Sequence, residues 1–260
     1  MTRSVEALKT PSIRDQVSAE EWQARLDLAA CYRLVARWGW TDHIYTHFSA
    51  RVPGREEHFL INAFGLTFGE VTASNLVKVD LAGTVLLDAT GRGHNQAGYV
   101  IHSAVHAARP DLTAVLHTHT TTGAAVSAQR DGLLMISQHA ARYYGRVAYH
   151  DYEGFALNLD EQQRLVRDLG DRRVMILRNH GLLAAGRSVG EALQELYFLE
   201  RACAIQIAAQ AGGAPLVVPD EAALQQASDT YERNSGGRYT TRNWEAFVRE
   251  LDAVDTSYRQ

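Results

Sequence analysis

The sequence has few of the residues that mark several large classes of protein. Its 260 residues include 2 cysteines, 5 prolines and 3 methionines, and the formal net charge is only −4. Two cysteines cannot build the disulfide framework of a small secreted domain. Cys31 and Cys203 lie in apolar, helical contexts and are predicted to be buried free thiols. The weak negative charge gives no indication of a nucleic-acid partner.

Long apolar runs are missing as well. No stretch approaches the roughly 20 apolar residues that a membrane-spanning helix needs. The first residues, "MTRSVEALKTPSIRDQ", lack the apolar core of a secretory signal. We therefore expect a cytoplasmic protein that has neither a membrane nor a nucleic acid as its partner.

Hydrophobic periodicity predicts a mixed α/β chain. Two long helices are predicted to begin at capping pairs, Ser18 with Glu21 and Ser188 with Glu191. A third helix is predicted in "NQAGYVIHSAVHAARPD", where Pro110 ends it. "TASNLVKVD" is predicted to form a brief helical turn. Strands are predicted in "HFSARV", "EHFLINAF", "TVLLDAT", "LTAVLHTHT" and both halves of "VMILRNHGLLAAG". This mixture predicts an N-terminal arm over residues 1–17, an α/β domain over 18–213 and a C-terminal helical extension over 214–260.

The chain contains 11 histidines, and their positions give the strongest chemical pattern in the sequence. His117 and His119 are two apart at the end of the strand "LTAVLHTHT", so they project from the same face. His180 ends another apolar strand, "VMILRNH", and neighbouring strand ends can bring it alongside the pair. Three imidazoles that meet in this way are a metal-ligand arrangement. A solvent-facing pair and a turn histidine are the alternatives.

Other motifs are weaker. His102 and His106 are one turn apart on a helix but lack the glutamate of an HExxH metal site, so packing or supporting roles are favoured. The sequence has no GxSxG, P-loop or GxGxxG motif, and neither cysteine lies beside a histidine as a nucleophile would.

Taken together, "HSAVHAARPD", "HTHTTTGAAVSA" and "RNHG" followed by "LLAAG" and a long Glu-rich helix resemble the class II aldolase/adducin family over about residues 22–213. The resemblance implies an α/β/α sandwich around a largely antiparallel sheet. Its sugar-phosphate members form cyclic tetramers with sites near subunit interfaces, which implies a homo-oligomer, a homotetramer, here.

The resemblance also implies a divalent metal, zinc first and iron or manganese as alternatives, held by His117, His119 and His180. In the aldolases the metal acts as a Lewis acid that stabilises an enediolate. A glutamate on the preceding helix binds the metal and then carries the proton; in this sequence its position falls on Gly98. The proton carrier must then be another group, for which His102, His47 or a tyrosine from a neighbouring subunit's tail, Tyr231 or Tyr239, are the candidates.

The phosphate-binding segments of the sugar-phosphate enzymes are replaced by "IYTHFSAR", "NAFGLTFGEV" and Gln96-Ala97. The first two of these stretches, with "VAYHDYEG" and "VMILRNHGLL", resemble adducin head domains instead. Three functions follow from the resemblance. The first is a metal-dependent lyase, aldolase- or decarboxylase-like, that acts on an unphosphorylated oxygenated carbonyl compound. The second is a non-haem Fe(II) oxygenase with a three-histidine site for an aromatic or hydroxy acid, lined by Phe64, Phe68 and Tyr99. The third is a non-catalytic, adducin-like interaction module.

Overall fold

An eight-stranded sheet runs through the centre of the computed structural model, which describes residues 10–154 and 159–260. The strand order is β4-β3-β2-β1-β5-β8-β7-β6. Only the β6–β7 pairing is parallel among those described. The strands are β1 His47–Val52, β2 Arg55–Asn62, β3 Leu76–Asp80, β4 Val85–Leu87, β5 Ala114–Thr118, β6 Val147–His150, β7 Val174–Leu177 and β8 Gly181–Gly186.

Helices cover both faces of this sheet because strand side chains alternate between the faces. Phe48 and Leu116 pack in one core with residues of the first and sixth helices. Val115 and Leu183 pack on the opposite face, against the second and fifth helices. The helices are α1 Ala19–Arg37, α2 Gln96–Ala108, α3 Thr121–Ser127, α4 Gln138–Ala141, α5 Leu159–Leu169, α6 Val189–Gln210, α7 Glu221–Asn234 and α8 Arg238–Asp252. The expected α/β/α sandwich with a largely antiparallel sheet is confirmed.

Local sequence signals place several helix ends correctly. The Ser18 side chain accepts a hydrogen bond from the backbone N–H of Glu21 at the start of α1, and Ser188 does the same for Glu191 at α6. Helix α2 ends at Ala108, two residues before Pro110, which cannot continue it. The predicted free thiols are also confirmed, since both cysteines are buried and unpaired.

The segment "TASNLVKVD" departs from expectation. Its first part is a turn, but Leu76–Asp80 forms strand β3 and pairs with β2. Val77 and Val79 alternate with Lys78, and the two valines are buried against α2 while Lys78 reaches Glu21 of α1. The prediction of a helical turn alone was wrong because the short apolar alternation depends on pairing with a neighbouring strand.

The C-terminal segment packs onto the domain. Leu251 of α8 and Tyr258 belong to the same buried core as α1 and α6. The division of the chain at residues 17 and 213 remains a prediction. No helix among the described residues combines the length and the apolar character needed to cross a membrane.

Candidate metal centre

The pairing of β5 with β8 brings the histidine segments together. Thr118 lies opposite Leu182 in this antiparallel register. A Cβ at Gly181 would overlap the Thr118 carbonyl oxygen, so only glycine permits this approach of the two backbones. Asn179, in the turn before it, has a φ of 54°, a left-handed conformation that asparagine tolerates. The turn thereby places His180 next to the end of β5.

The three imidazoles converge through their Nε2 atoms. Nε2 of His119 is 2.8 Å from Nε2 of His117 and 2.8 Å from Nε2 of His180. Nδ1 of His117 donates to the carbonyl of Leu182 at 2.9 Å, and Nδ1 of His119 donates to the Asp42 carboxylate at 2.8 Å. Because these acceptors require the proton on Nδ1, a neutral ring in each case presents a bare Nε2 to the centre.

Burial and neighbouring groups favour the neutral form of two of the rings, His117 and His180. Burial, together with the adjacent imidazoles, lowers the pKa of His117 well below its usual value, and burial and His119 lower the pKa of His180 to about 4. With the proton of each ring on Nδ1, the Nε2 lone pairs of His117 and His119 face each other at 2.8 Å and repel. A divalent cation relieves that repulsion, and neutral imidazole is the donor such ions take. The residues therefore fit a three-histidine metal site.

Two acidic residues that the sequence did not reveal hold this centre. Asp42 orients the His119 ring, as outer carboxylates commonly do for metal-binding histidines. Glu200 of α6 is buried and accepts hydrogen bonds from Thr118 at 2.8 Å and Thr120 at 2.6 Å, on either side of His119. Asp42 has no local signal, whereas Glu200 could have been found because it lies on the apolar face of its helix, four residues after Leu196.

His47 occupies the space beside Gly98. Its ring is stacked 5.7 Å from the ring of His117, and the residue is only 5% exposed. A Cβ at Gly98 would lie 2.6 Å from Nε2 of His47 and closer still to its ring carbons. The imidazole thus fills the volume that any side chain at position 98 would need. Burial, followed by the surrounding imidazoles, lowers the pKa of His47 well below its usual value.

His102 and His106 lie farther from the centre. Ser49 Oγ is 2.6 Å from Nδ1 of His102 and 2.8 Å from Nε2 of His106, between β1 and α2. Both histidines are fully enclosed, and burial lowers the pKa of each to about 3. The ring of His102 makes an edge contact with His47 at 5.3 Å, so it supports that ring from behind.

The tyrosines proposed as proton carriers lie elsewhere in the chain. Tyr239 of α8 is 62% exposed, and with Tyr231 it lines a groove that also includes Gln194 and Phe198. Neither tyrosine lines the histidine site of its own chain. Their proposed role therefore depends on a neighbouring copy.

A cavity of about 500 Å³ opens over the three imidazoles. His47 and Phe64 line it, as does Tyr152 from the loop after β6. The expectation that Phe68 and Tyr99 would also line the site was wrong. Phe68 packs on Tyr32 and Phe48 in the core, and Tyr99 donates its hydroxyl to the Leu81 carbonyl at 2.6 Å. Apolar character alone did not distinguish a wall of the site from the core behind it.

Comparison with known proteins places this geometry in a family. Residues 26–207 match the model of the Class II Aldolase and Adducin N-terminal domain, so the chain belongs to the class II aldolase/adducin family. It is similar to the crystal structure of an aldolase II superfamily protein from Pseudomonas syringae, with 61% identity, a TM-score of 0.93 and coverage of 96% of this chain and 100% of that one.

Two further relatives differ in name. L-fuculose 1-phosphate aldolase from Glaciozyma antarctica is 29% identical, with a TM-score of 0.83 and 97% of each chain covered. Rat alpha-adducin is 44% identical over 236 residues, which are 88% of this chain and 32% of adducin. The family thus includes proteins named as aldolases and proteins named as adducins.

The contact between His47 and Gly98 gives a first prediction. Gly98→Ala destabilises the protein by about 1–3 kcal/mol because the new methyl group overpacks the imidazole. In a His47→Ala background the same change is neutral or stabilises by about 0.5–1 kcal/mol, since alanine favours the helix more than glycine does. Urea unfolding of the four proteins measures both values. Equal effects of Gly98→Ala in the two backgrounds would show that the His47 ring and the new methyl group do not compete for this space.

His106, one of the two buried histidines that contact Ser49, gives a second prediction. Because the folded-state pKa of His106 is about 3 and a histidine in the unfolded chain titrates near 6.5, the unfolded state binds the extra proton between these values. The free energy of unfolding therefore falls as the pH drops below about 6.5, by up to about 1.4 kcal/mol per pH unit for this residue. His106→Gln removes that share of the slope.

Chemical unfolding between pH 8 and pH 4 checks this. The difference between wild type and His106→Gln is constant above pH 7 and changes steadily below 6.5, where the two curves converge. A constant difference over the whole range would show that His106 does not titrate between folded and unfolded states.

Proposed function

We propose that this chain is a metal-dependent lyase, aldolase- or decarboxylase-like, that acts on an unphosphorylated oxygenated carbonyl compound. The observation that carries the proposal is the convergence of three Nε2 atoms, from His117, His119 and His180, at the base of an open cavity. The name of the Glaciozyma relative and the family of the chain agree with aldolase-type chemistry.

The three histidines would hold the divalent metal, with zinc preferred and iron or manganese as alternatives. When bound, such an ion supplies Lewis-acid stabilisation of the negative charge that develops on a substrate oxygen, as on an enediolate. The chain itself supplies orientation, because Asp42 and the Leu182 carbonyl fix the Nδ1 protons of two of the rings.

His47 is the group best placed to carry a proton. It lines the cavity beside His117 and takes up the space next to Gly98, where aldolases of the family place a glutamate. As a neutral imidazole it can accept a proton and return it. His102 would assist by holding the His47 ring, and Tyr239 could contribute only from another copy in the proposed homotetramer.

The substrate is proposed to lack a phosphate because no lysine or arginine is among the described residues that line the cavity. Phosphate recognition ordinarily uses such cations or clustered backbone amides with small hydroxyl residues. The cytoplasmic location and the tetrameric state remain predictions.

Specific observations also favour the other two functions. Without a carboxylate at Gly98, a three-histidine iron site would keep positions for dioxygen and a bidentate aromatic or hydroxy acid, as an oxygenase needs. The likeness to alpha-adducin favours an interaction module. The convergence of the three imidazoles favours a metal enzyme over an interaction module.

Metal binding provides the third prediction. Metal-free protein takes up one equivalent of zinc, manganese or iron, with a rise in Tm that follows ligand concentration. Asp42→Asn weakens binding about 10- to 100-fold because the His119 ring loses its orienting carboxylate. His119→Ala loses tight binding, whereas the control His139→Ala, on α4, retains it. Calorimetric titration measures these affinities; wild-type protein that binds no metal, or His119→Ala that binds as wild type does, would refute the site.

Assays with and without oxygen distinguish a lyase from an oxygenase. A lyase cleaves a carbon–carbon bond under anaerobic conditions with the metal-loaded protein. Substrate-dependent oxygen uptake by the iron form would instead establish the oxygenase. A protein that binds no metal and cleaves nothing would leave the adducin-like module.

A further inference from the structure

Three exposed aromatic side chains stand around the mouth of the histidine cavity. Tyr45 is 53% exposed, Phe64 41% and Tyr152 53%, and all three line the cavity. They come from separate loops, after α1, β2 and β6. Among the described residues, Tyr239 is the one other aromatic in the set of exposed large hydrophobic side chains. Isolated exposed apolar residues are ordinary, but a cluster at a cavity marks a binding surface.

The charge of the cavity narrows what this surface can bind. The described lining residues include one carboxylate, Asp42, and no lysine or arginine. That carboxylate already accepts a hydrogen bond from His119. An anionic group placed among the aromatic side chains would therefore lose water without gaining a cationic partner. The lining therefore disfavours an anionic group in the part of the ligand that lies away from the histidines.

The loop that carries Tyr45 is held in a fixed, unfavourable shape. His43 and Thr46 have φ values of 51° and 70°, in the left-handed region that a β-branched residue such as threonine rarely adopts. The Tyr45 N–H donates to the Asp42 carbonyl at 2.8 Å and closes the turn. Strain of this kind is typical of ligand clamps. It places Tyr45 and Asp42, which orients a metal-binding histidine, on the same turn.

We propose that Tyr45, Phe64 and Tyr152 form an aromatic rim that binds an uncharged aromatic ring of the substrate, while the oxygen-bearing end of the substrate faces the three histidines. This inference rests on the proposed function, since it concerns the substrate of that same site. A cavity of about 500 Å³ accommodates a small aromatic compound of this kind. Offset or edge contacts with the rim give a flat ring an advantage over a saturated one.

Four hydroxamates test the rim because they share one metal-chelating head and differ only in the tail. The probes are acetohydroxamate, benzohydroxamate, cyclohexanecarbohydroxamate and phosphoglycolohydroxamate, titrated by calorimetry into zinc-loaded protein. We expect benzohydroxamate to bind about tenfold more tightly than acetohydroxamate and several-fold more tightly than the cyclohexyl compound. The phosphorylated probe binds no better than acetohydroxamate.

Substitutions of exposed residues test whether the tighter binding of benzohydroxamate depends on the rim. Phe64→Leu and Tyr152→Leu each remove most of the advantage of benzohydroxamate and leave the affinity for acetohydroxamate unchanged. Leu86→Ala, at a residue with the same exposure as Phe64 but outside the cavity, is the control and changes neither affinity.

The outcomes separate this inference from the proposed function. Equal affinities for all four probes, or tightest binding of the phosphorylated or cyclohexyl probe, overturn the aromatic rim while the metal site stands. Failure of acetohydroxamate to bind the zinc-loaded protein, when benzohydroxamate still binds and depends on Phe64, overturns the metal function and supports the rim. Loss of binding by every probe overturns both.

Discussion

The site depends on one backbone contact, the approach of Gly181 at the start of β8 to the Thr118 carbonyl at the end of β5. Antiparallel pairing alone sets Thr118 opposite Leu182, but the absent side chain lets the turn residue His180 fall beside His119. Every larger residue would push β8 away and separate the Nε2 atoms. Glu200 then ties Thr118 and Thr120, on either side of His119, to α6, so the position of the histidine pair is fixed by the sheet and its helix.

A second constraint lies between β1 and α2. The imidazole of His47 fills the space next to Gly98, the position where the family resemblance implies a glutamate. The face of β1 toward α2 continues with Ser49, which joins two buried neutral histidines. This polar contact between strand and helix replaces apolar packing next to the site. His47 thereby places an imidazole beside His117, next to Gly98.

Much of the fold and the position of the three histidines could be predicted from the sequence, because caps, strand periodicity and the HxH spacing are local signals. Strand β3 was missed because its five residues are stabilised by pairing with β2. Asp42 and the exposed Tyr45 and Tyr152 could not be found, since only the assembled sheet brings their loops together at the site. Phe68 was misplaced for the opposite reason: an aromatic residue near the correct loop faces the core.

The central claim is that the three Nε2 atoms bind one metal ion, and anomalous X-ray diffraction from crystals of the zinc-loaded protein tests it most directly. The expected result is a single anomalous peak about 2.0–2.3 Å from Nε2 of His117, His119 and His180. His47 should lie beside the ion and not bind it. A fully zinc-loaded protein with its peak elsewhere, or with one of the three imidazoles turned away from the ion, would contradict the claim.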